Sequence, residues 1–480
     1  MEYADAAHLL RRAGFGGSTE EIDALAQKGT AQAAVDYLLN YTSIDNSSME
    51  QVLTNSFNFT DPTDNATFNQ NIIRTWWVAR MVFSKRQFEE KMTLFWHNHF
   101  ATALSKVQDR FMYIQNLTLR QNALARFDDL LLKVAQDPAM LLWLDTTTST
   151  RTSPNENFAR ELQELFTMGI KDVVTGQANY TEDDIKQIAR AFTGWRFRRT
   201  PGDSNPFSYL WFVDNNQFDA GPKTVYGQTA NYTGQDIISI VSAKPATARY
   251  LVYKMFTFFV YPLDLNSQND KSTIDKFASI YMSTNHSIRE LMRAILTSDE
   301  FYSNRARYGL VKQPIELIVS ALRSLKATYN PGIAGNRQFD NQLQGRSRLI
   351  GEDLFNPPDV AGWDFNMGWI NTTTMLERFN FANQLATTRQ PNNTAQVGFW
   401  IPTDNLRSWA KPSTKKTVRV MLDVMGPVVV SPPTNKELRR YLSADDAGNQ
   451  VTWVVNDTTI DKKIRGLIHQ IMSLPEFQMN

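Results

Sequence analysis

The sequence contains no cysteine. Disulfides, thiolate metal sites and a cysteine nucleophile are excluded together. The compartment stays open, because a chain without thiols tolerates oxidising and reducing surroundings alike. An excess of one charge is also missing: Lys and Arg number 50 against 49 Asp and Glu, a net charge of +1. That balance argues against a nucleic-acid binder, whose footprint is a basic excess or stripe. No acidic or basic tail is present. Long apolar runs are absent too, so no transmembrane helix is expected. The longest, near Tyr250 to Pro262, is broken by Lys254. Met1 leads directly into a helix-like segment, and no signal peptide is read there. HExxH, GxGxxG, GxSxG and the phosphate-binding loop do not occur.

Helical punctuation dominates what is there. Ala4 to Arg12 reads as a short helix closed by Gly14. Ser18 with Glu21 forms a capping box, and Gly29 stops the helix that follows. Thr30 caps a third helix through Leu39. Residues 42–70 are rich in Asn, Ser, Thr and Asp and read as a polar loop. Helices are expected over Asn71–Val82, Arg86 to about His97, and Asp109–Asn122. The alternation of Phe207, Tyr209, Trp211 and Val213 before Asn215-Asn216 reads as a hairpin closed by a second run downstream. Residues 331–345 and 388–414 read as loops, and helices Thr417–Met425 and Asp461–Leu474 close the chain. The expected fold is mainly α: one large multi-helix domain over 1–480 with one small β-hairpin. Sub-lobes at 1–200 and 230–480 would be joined by the 205–228 hairpin region.

The densest charged cluster is NENFARELQELFTMGIKDVVTGQANYTEDDIKQIARAFTGW, Asn155 to Trp195. At 100° per residue, Phe158, Leu162 and Leu165 form the core stripe of its first helix, and Glu156, Arg160 and Glu164 face outward. Glu161 sits on the flank of the stripe with Asn157 one turn earlier. A carboxylate there finds a partner or shifts its pKa upward. Two readings stand: a buried ion pair with an arginine that locks two helices, or a general base or metal ligand. Thr181 with Asp184 starts the second helix, and Gly194 ends it. In KMTLFWHNHF (Lys91–Phe100), His97 and His99 suggest a metal. On a continuous helix they point about 200° apart and cannot share an ion. Chelation requires the helix to end at or before His97; otherwise both are neutral histidines in or beside the core.

The motifs HLLRRAGFG (His8–Gly16), FWHNHF (Phe95–Phe100), NENFARELQELFTMG (Asn155–Gly169), YTEDDIKQIARAFTGW (Tyr180–Trp195), FDAGPKTVYGQ (Phe218–Gln228) and LFNPPDVAGW (Leu354–Trp363) follow in order. With LPEFQ (Leu474–Gln478), they make the chain resemble the bacterial family called domain of unknown function 1800. The resemblance implies an uncharacterised activity, export from the cytoplasm, and a sulfatase-like or alkaline-phosphatase-like partner protein. It maps patterned polar residues onto His8, His97, His99, Asn157, Arg160, Glu161, Asp219 and Lys223. Many members have histidine where this chain has Phe166, and most have histidine where it has Phe218.

Two functions follow as expectations. The first is an extracytoplasmic helical protein that works by binding or assembly, with a partner protein or its own copies, without strong turnover. The second is a metal-assisted hydrolase, with His97, His99 and His8 holding a divalent metal and Glu161, Arg160 and Asp219 as catalytic groups. About eleven Asn-x-Ser/Thr sequons, among them Asn40, Asn58, Asn65, Asn231 and Asn371, leave glycosylation open.

Overall fold

The structure is a computed structural model that describes residues 1–57, 59–333, 338–393 and 396–480. Its first helices begin and end where local chemistry directs. Helix α1 (Tyr3–Ala13) stops at Gly14. The Ser18 hydroxyl accepts from the Glu21 amide, and the Glu21 carboxylate accepts from the Ser18 amide at 2.8 Å, starting α2 (Thr19–Ala26). Thr30 caps α3 (Ala31–Leu39). The polar stretch after it is not one loop. It contains α4 (Ser47–Ser56), because Met49 and Leu53, one turn apart, bury against a core that local composition does not reveal. The sequon Asn58 lies outside the described residues. Sequon residues Asn46 and Asn116 are buried, which closes both to glycosylation in the folded chain.

Five helices follow: α5 (Gln70–Phe83), α6 (Gln87–His99), α7 (Asp109–Gln121), α8 (Phe127–Ala135) and α9 (Pro138–Trp143). Helix α10 (Asn157–Glu161) widens into a π-helical stretch at Leu162–Thr167, and α11 (Glu182–Ala191) begins at the Thr181/Asp184 box.

The expected hairpin is real in its first run, but its partner lies upstream. Strand β1 (Trp195–Arg199) pairs antiparallel with β2 (Tyr209–Val213), Trp195 facing Val213. Gly194, at φ +75°, lets the chain leave α11 directly into β1; a Cβ there would sit 2.6 Å from the Asp214 carbonyl. The residues after the turn form a separate pair, β3 (Lys223–Val225) with β4 (Gln228–Ala230). The chain is mainly helical with several minor strand pairs, not one.

Helices α12 (Gly234–Ser242), α13 (Pro245–Phe259), α14 (Gln268–Ser283), α15 (Ile288–Leu296) and α16 (Pro314–Ser324) continue the chain. The expected loop at 331–345 instead carries short strands and the start of α17 (Gln342–Ile350), with 334–337 outside the described residues. Strand β5 (Thr328–Asn330) precedes β6 (Gly332–Ile333) and β7 (Gln338–Phe339), which pair with each other. After α18 (Thr372–Thr387), the expected loop at 388–414 contains β8 (Gly398–Trp400), paired with β5, and α19 (Thr403–Trp409); 394–395 are outside the described residues. Helix α20 (Thr414–Val424) precedes α21 (Pro432–Leu442), which the sequence pattern did not reveal. Helix α22 (Asp457–Thr459) passes through a second π-helical stretch, Ile460–Ile464, into α23 (Arg465–Met472), and α24 (Pro475–Gln478) follows. Among the described residues no helix is long and apolar enough to cross a membrane.

The apolar interior gathers into two large clusters. The first takes α1 to α3, most of α6, and residues between Leu119 and Ala306. The second takes α4, α5 and residues from Ile315 to Phe477. Both draw on chain from either side of 205–228, so the strand region does not divide the interior. Helix α6 runs along the seam, giving Phe95 to the first cluster and Leu94 to the second.

Leu354–Trp363 fastens the end of α6. Asn98 Oδ1 accepts from the Trp363 amide at 2.7 Å, and Leu104 donates to the Phe355 carbonyl at 2.9 Å. Gly362 has φ +93°, and a Cβ there would lie 2.6 Å from the Asn98 carbonyl oxygen and overlap its side chain. Gly362→Ala is therefore expected to destabilise by about 2–4 kcal/mol, combining left-handed strain with a backbone clash. Urea denaturation checks this; a loss below about 0.5 kcal/mol would contradict it.

Candidate functional site

Helix α6 sets the surroundings of His97 and His99. The helix continues to His99, so the condition for chelation by His97 and His99 is not met, and the two rings enter different surroundings. His97 packs edge-on to Trp77 at 5.2 Å and lies 5.4 Å from Phe355 and Trp363. His99 stacks at 5.9 Å on Phe95, and its Nε2 meets the Phe166 carbonyl at 3.0 Å. His8 is fully buried, with Nε2 2.9 Å from the Phe301 carbonyl. Burial lowers all three imidazoles, to about 3 for His97 and His99 and about 2 for His8, where Arg12 and Arg11 add to it. They are neutral at any physiological pH, and a neutral Nε2 opposite a carbonyl carries the proton and donates. Among the described residues no group of three or more His, Asp or Glu gathers around a metal-sized space.

In the 155–195 wall Phe158 and Leu162 are buried as the periodicity implies. The π-helical stretch shifts the register after them, so that Leu165 is half-buried and Gln163 and Phe166 are buried instead. The charged partners also differ. Arg160 bonds both oxygens of Glu182, at 3.0 and 2.9 Å, and lies 3.4 Å from Glu156 and 3.6 Å from Glu164. Arg160, not Glu161, therefore joins α10 to α11. The pairing expected between a buried Glu161 and an arginine is not formed: Glu161 is half-buried and has no hydrogen bond or ion pair among the described residues. Burial raises its carboxyl, Glu164 adds to the rise and Arg160 opposes it. Asn157 is exposed.

The 218–228 segment acts as a clamp. Asp219 accepts from Arg190 Nε at 2.7 Å, and this bond, ahead of any other effect, lowers its carboxyl. Lys223, almost fully buried, donates to the carbonyls of Asp219 and Gly221 at 2.7 and 2.9 Å. Its ammonium lies 5.2 Å from the centre of the Phe218 ring. The Tyr226 hydroxyl donates to Gln163 at 2.6 Å and its amide to Asp184 at 2.7 Å. These bonds tie the π-helical stretch, α11 and β3 into one unit. Phe166 packs 5.4 Å from Phe100.

Sequence reasoning missed the charges of α6. Glu89, Glu90 and Lys91 are consecutive, and all three are buried. Glu90 accepts from Arg80 Nε, from Arg120 Nε and Nη2 at 3.0 Å each, and from Trp77 Nε1 at 3.3 Å. Lys91 pairs with Glu316. The one available signal is that three adjacent charges cannot share one solvent face of a helix.

A cleft of about 1130 Å³ between α18, α21 and α23 was also missed. Its carboxylates are already engaged. Asp461 lies between Arg389 at 2.6 Å and Arg465 at 2.9 Å, Asp446 faces Lys462 at 3.2 Å, and Glu437 binds Arg440 at 2.7 Å. Asp445 accepts from the Asn449 side chain and amide. Arg389 first, and Arg465 after it, hold the Asp461 carboxyl below its usual range. The second π-helical stretch lines this cleft, as does Gly466, beside the Tyr441 hydroxyl where a side chain would overlap. None of the residues singled out from the sequence reaches it.

Fold and site together define a mainly helical protein whose patterned polar residues chiefly hold elements to one another. The family model described as "Protein of unknown function (DUF1800)" matches residues 8–479, and the chain belongs to that family. No curated protein and no solved structure matched the chain.

Proposed function

We propose that this chain works outside the cytoplasm by binding or assembly, without strong catalytic turnover. One observation carries the reading: the residues with chemistry to offer are dispersed. His8, His97 and His99 lie in three separate aromatic settings. Arg160 serves a surface network, Asp219 is neutralised by Arg190, and Glu161 stands alone. Acid–base or metal catalysis needs such groups within hydrogen-bond reach of one reacting centre. The cleft near the C-terminal helices supports the same reading, since paired charges suit recognition better than proton transfer. The family resemblance supports export and a sulfatase-like or alkaline-phosphatase-like partner, with the chain's own copies as the other candidate.

The test has two parts. The purified chain, with and without divalent metal, is assayed on phosphate and sulfate esters, peptides and glycans, alongside Glu161→Gln. No turnover above background is expected; robust turnover abolished by Glu161→Gln would establish the hydrolase instead. Sedimentation of the chain alone and mixed with a sulfatase-like protein encoded beside it is expected to yield a complex. Cell fractionation that finds the natural protein in the cytoplasm would overturn the location.

A further inference from the structure

Lys91 of the seam helix α6 ends in the interior. It is 1 % exposed, and its Nζ lies 5.3 Å from the ring centres of both Phe15 and Phe258. Its hydrogen-bond partner is Oε1 of Glu316, a residue buried with it. Two charges are thus taken out of water together, and such a pair recovers little of what its burial costs. Burial first, and Arg12 after it, drive the Lys91 ammonium well below the ordinary lysine value, toward the free amine. Glu352, also fully buried, acts electrostatically on Lys91, but burial raises its own carboxyl to about 7. While Glu352 carries its proton, it adds no negative charge to hold Lys91 as an ammonium. A desolvated amine against a carboxyl group is a nucleophile facing its electrophile.

The other oxygen of Glu316 is held separately. Oε2 accepts from the Gln313 amide and from Asn480 Nδ2, both at 2.8 Å. Two N–H donors on that oxygen stabilise the charge it takes up when the carboxyl carbon becomes tetrahedral. A space of about 10 Å³ borders Lys91, Glu316 and Asn480, at the lower limit for one water.

We propose that Lys91 and Glu316 join in an isopeptide bond once the chain has folded. The bond from Lys91 Nζ to Glu316 Cδ forms, and the bond from Cδ to Oε1 breaks. Two protons of the ammonium leave with Oε1 as water. Oε2 stays behind as the amide carbonyl on its two donors. The balance needs no oxidant, metal or co-reactant. The amide replaces two buried charges with one neutral group, and holding reacting groups in line supplies effective concentrations on the order of 10⁵–10⁸ M. The bond closes a loop between positions 225 residues apart and fastens α6 to α16 of the second apolar cluster. It forms once per chain and is independent of the binding function proposed above.

The test measures the intact mass of the purified full chain in denaturing solvent. The mass is expected to fall about 18 Da, one water, below that of the sequence. Trypsin is then expected to leave the chain uncut after Lys91 and to release a branched fragment joining 87–106 to 313–323. Lys91→Arg is expected at its full mass. That variant could fail to fold, but the two readings on the unaltered chain do not depend on it. The full sequence mass, with trypsin cutting after Lys91, overturns the proposal. So does a deficit of one water without the branched fragment, which places the dehydration elsewhere.

Discussion

Replacing Glu90 by alanine is expected to cost about 3–5 kcal/mol, the usual range when one partner of a buried ion pair is removed. Glu90 is fully buried and serves two arginines at once, Arg80 at 10 % and Arg120 at 6 % side-chain exposure. Without it both guanidiniums stay inside with no counter-charge, and the Trp77 indole loses its acceptor. The same carboxylate gives the chain an acid limit. Burial alone would raise its pKa, but Arg120 and Arg80 outweigh burial and hold it near 2, below the ordinary 4.5. A lowered carboxyl contributes stability that is fully present above the unfolded value and lost as pH falls toward the folded one. Its share should therefore disappear between about pH 4.5 and pH 2. Denaturant titrations of Glu90→Ala and the unaltered chain at pH 7 and pH 3 measure both effects. A penalty under about 1 kcal/mol at pH 7 would falsify the account.

Glu89→Gln is expected to act in the opposite sense. This neighbour is 8 % exposed and has no hydrogen bond or ion pair from its carboxylate among the described residues. Burial raises it to about 7, with the Glu90 charge adding to the rise and Arg120 and Arg80 opposing it. A raised carboxyl is protonated in the folded state while the unfolded chain has already released the proton. Stability then declines as pH rises from about 4.5 through about 7. Glutamine removes that decline. The variant should match the unaltered chain near pH 4.5 and exceed it by about 2–3 kcal/mol at pH 8, because each tenfold change in proton affinity is worth about 1.36 kcal/mol. A variant weaker at both pH values would show that the Glu89 carboxylate is held charged. Two adjacent carboxyls are thus driven apart by their surroundings: one faces two arginines, the other is buried with no cation bonded to it among the described residues.

How much of this was legible in the sequence depends on how local each cause is. The caps at Ser18/Glu21 and Thr181/Asp184 were readable because capping is decided within four residues. The opposition of His97 and His99 was readable because it follows from helical pitch, and only the end of the helix was left to observe. The helix at Ser47–Ser56 was not, because Asn and Ser favour turns and only a distant core holds Met49 and Leu53. The partner of Tyr209–Val213 was missed because a strand's alternation states which face is buried, not which neighbour it pairs with. Neither π-helical stretch leaves a composition signal. The resemblance marked segments of the chain without the contacts their residues make. Arg160 binds Glu182, while Glu161 beside it binds nothing among the described residues.

The division of the two apolar clusters along the chain also sets an order of construction. The first is complete in sequence by Ala306. The second needs α4 and α5, made early, to wait for helices that extend to Phe477. During synthesis, Phe59 and Tyr113 can cover Trp76 and α6 part of Trp77 early, while Phe355 and helices α16 and α17 complete that surface later. Pairing early helices with residues hundreds of positions later raises the contact order of this half, and high contact order slows folding.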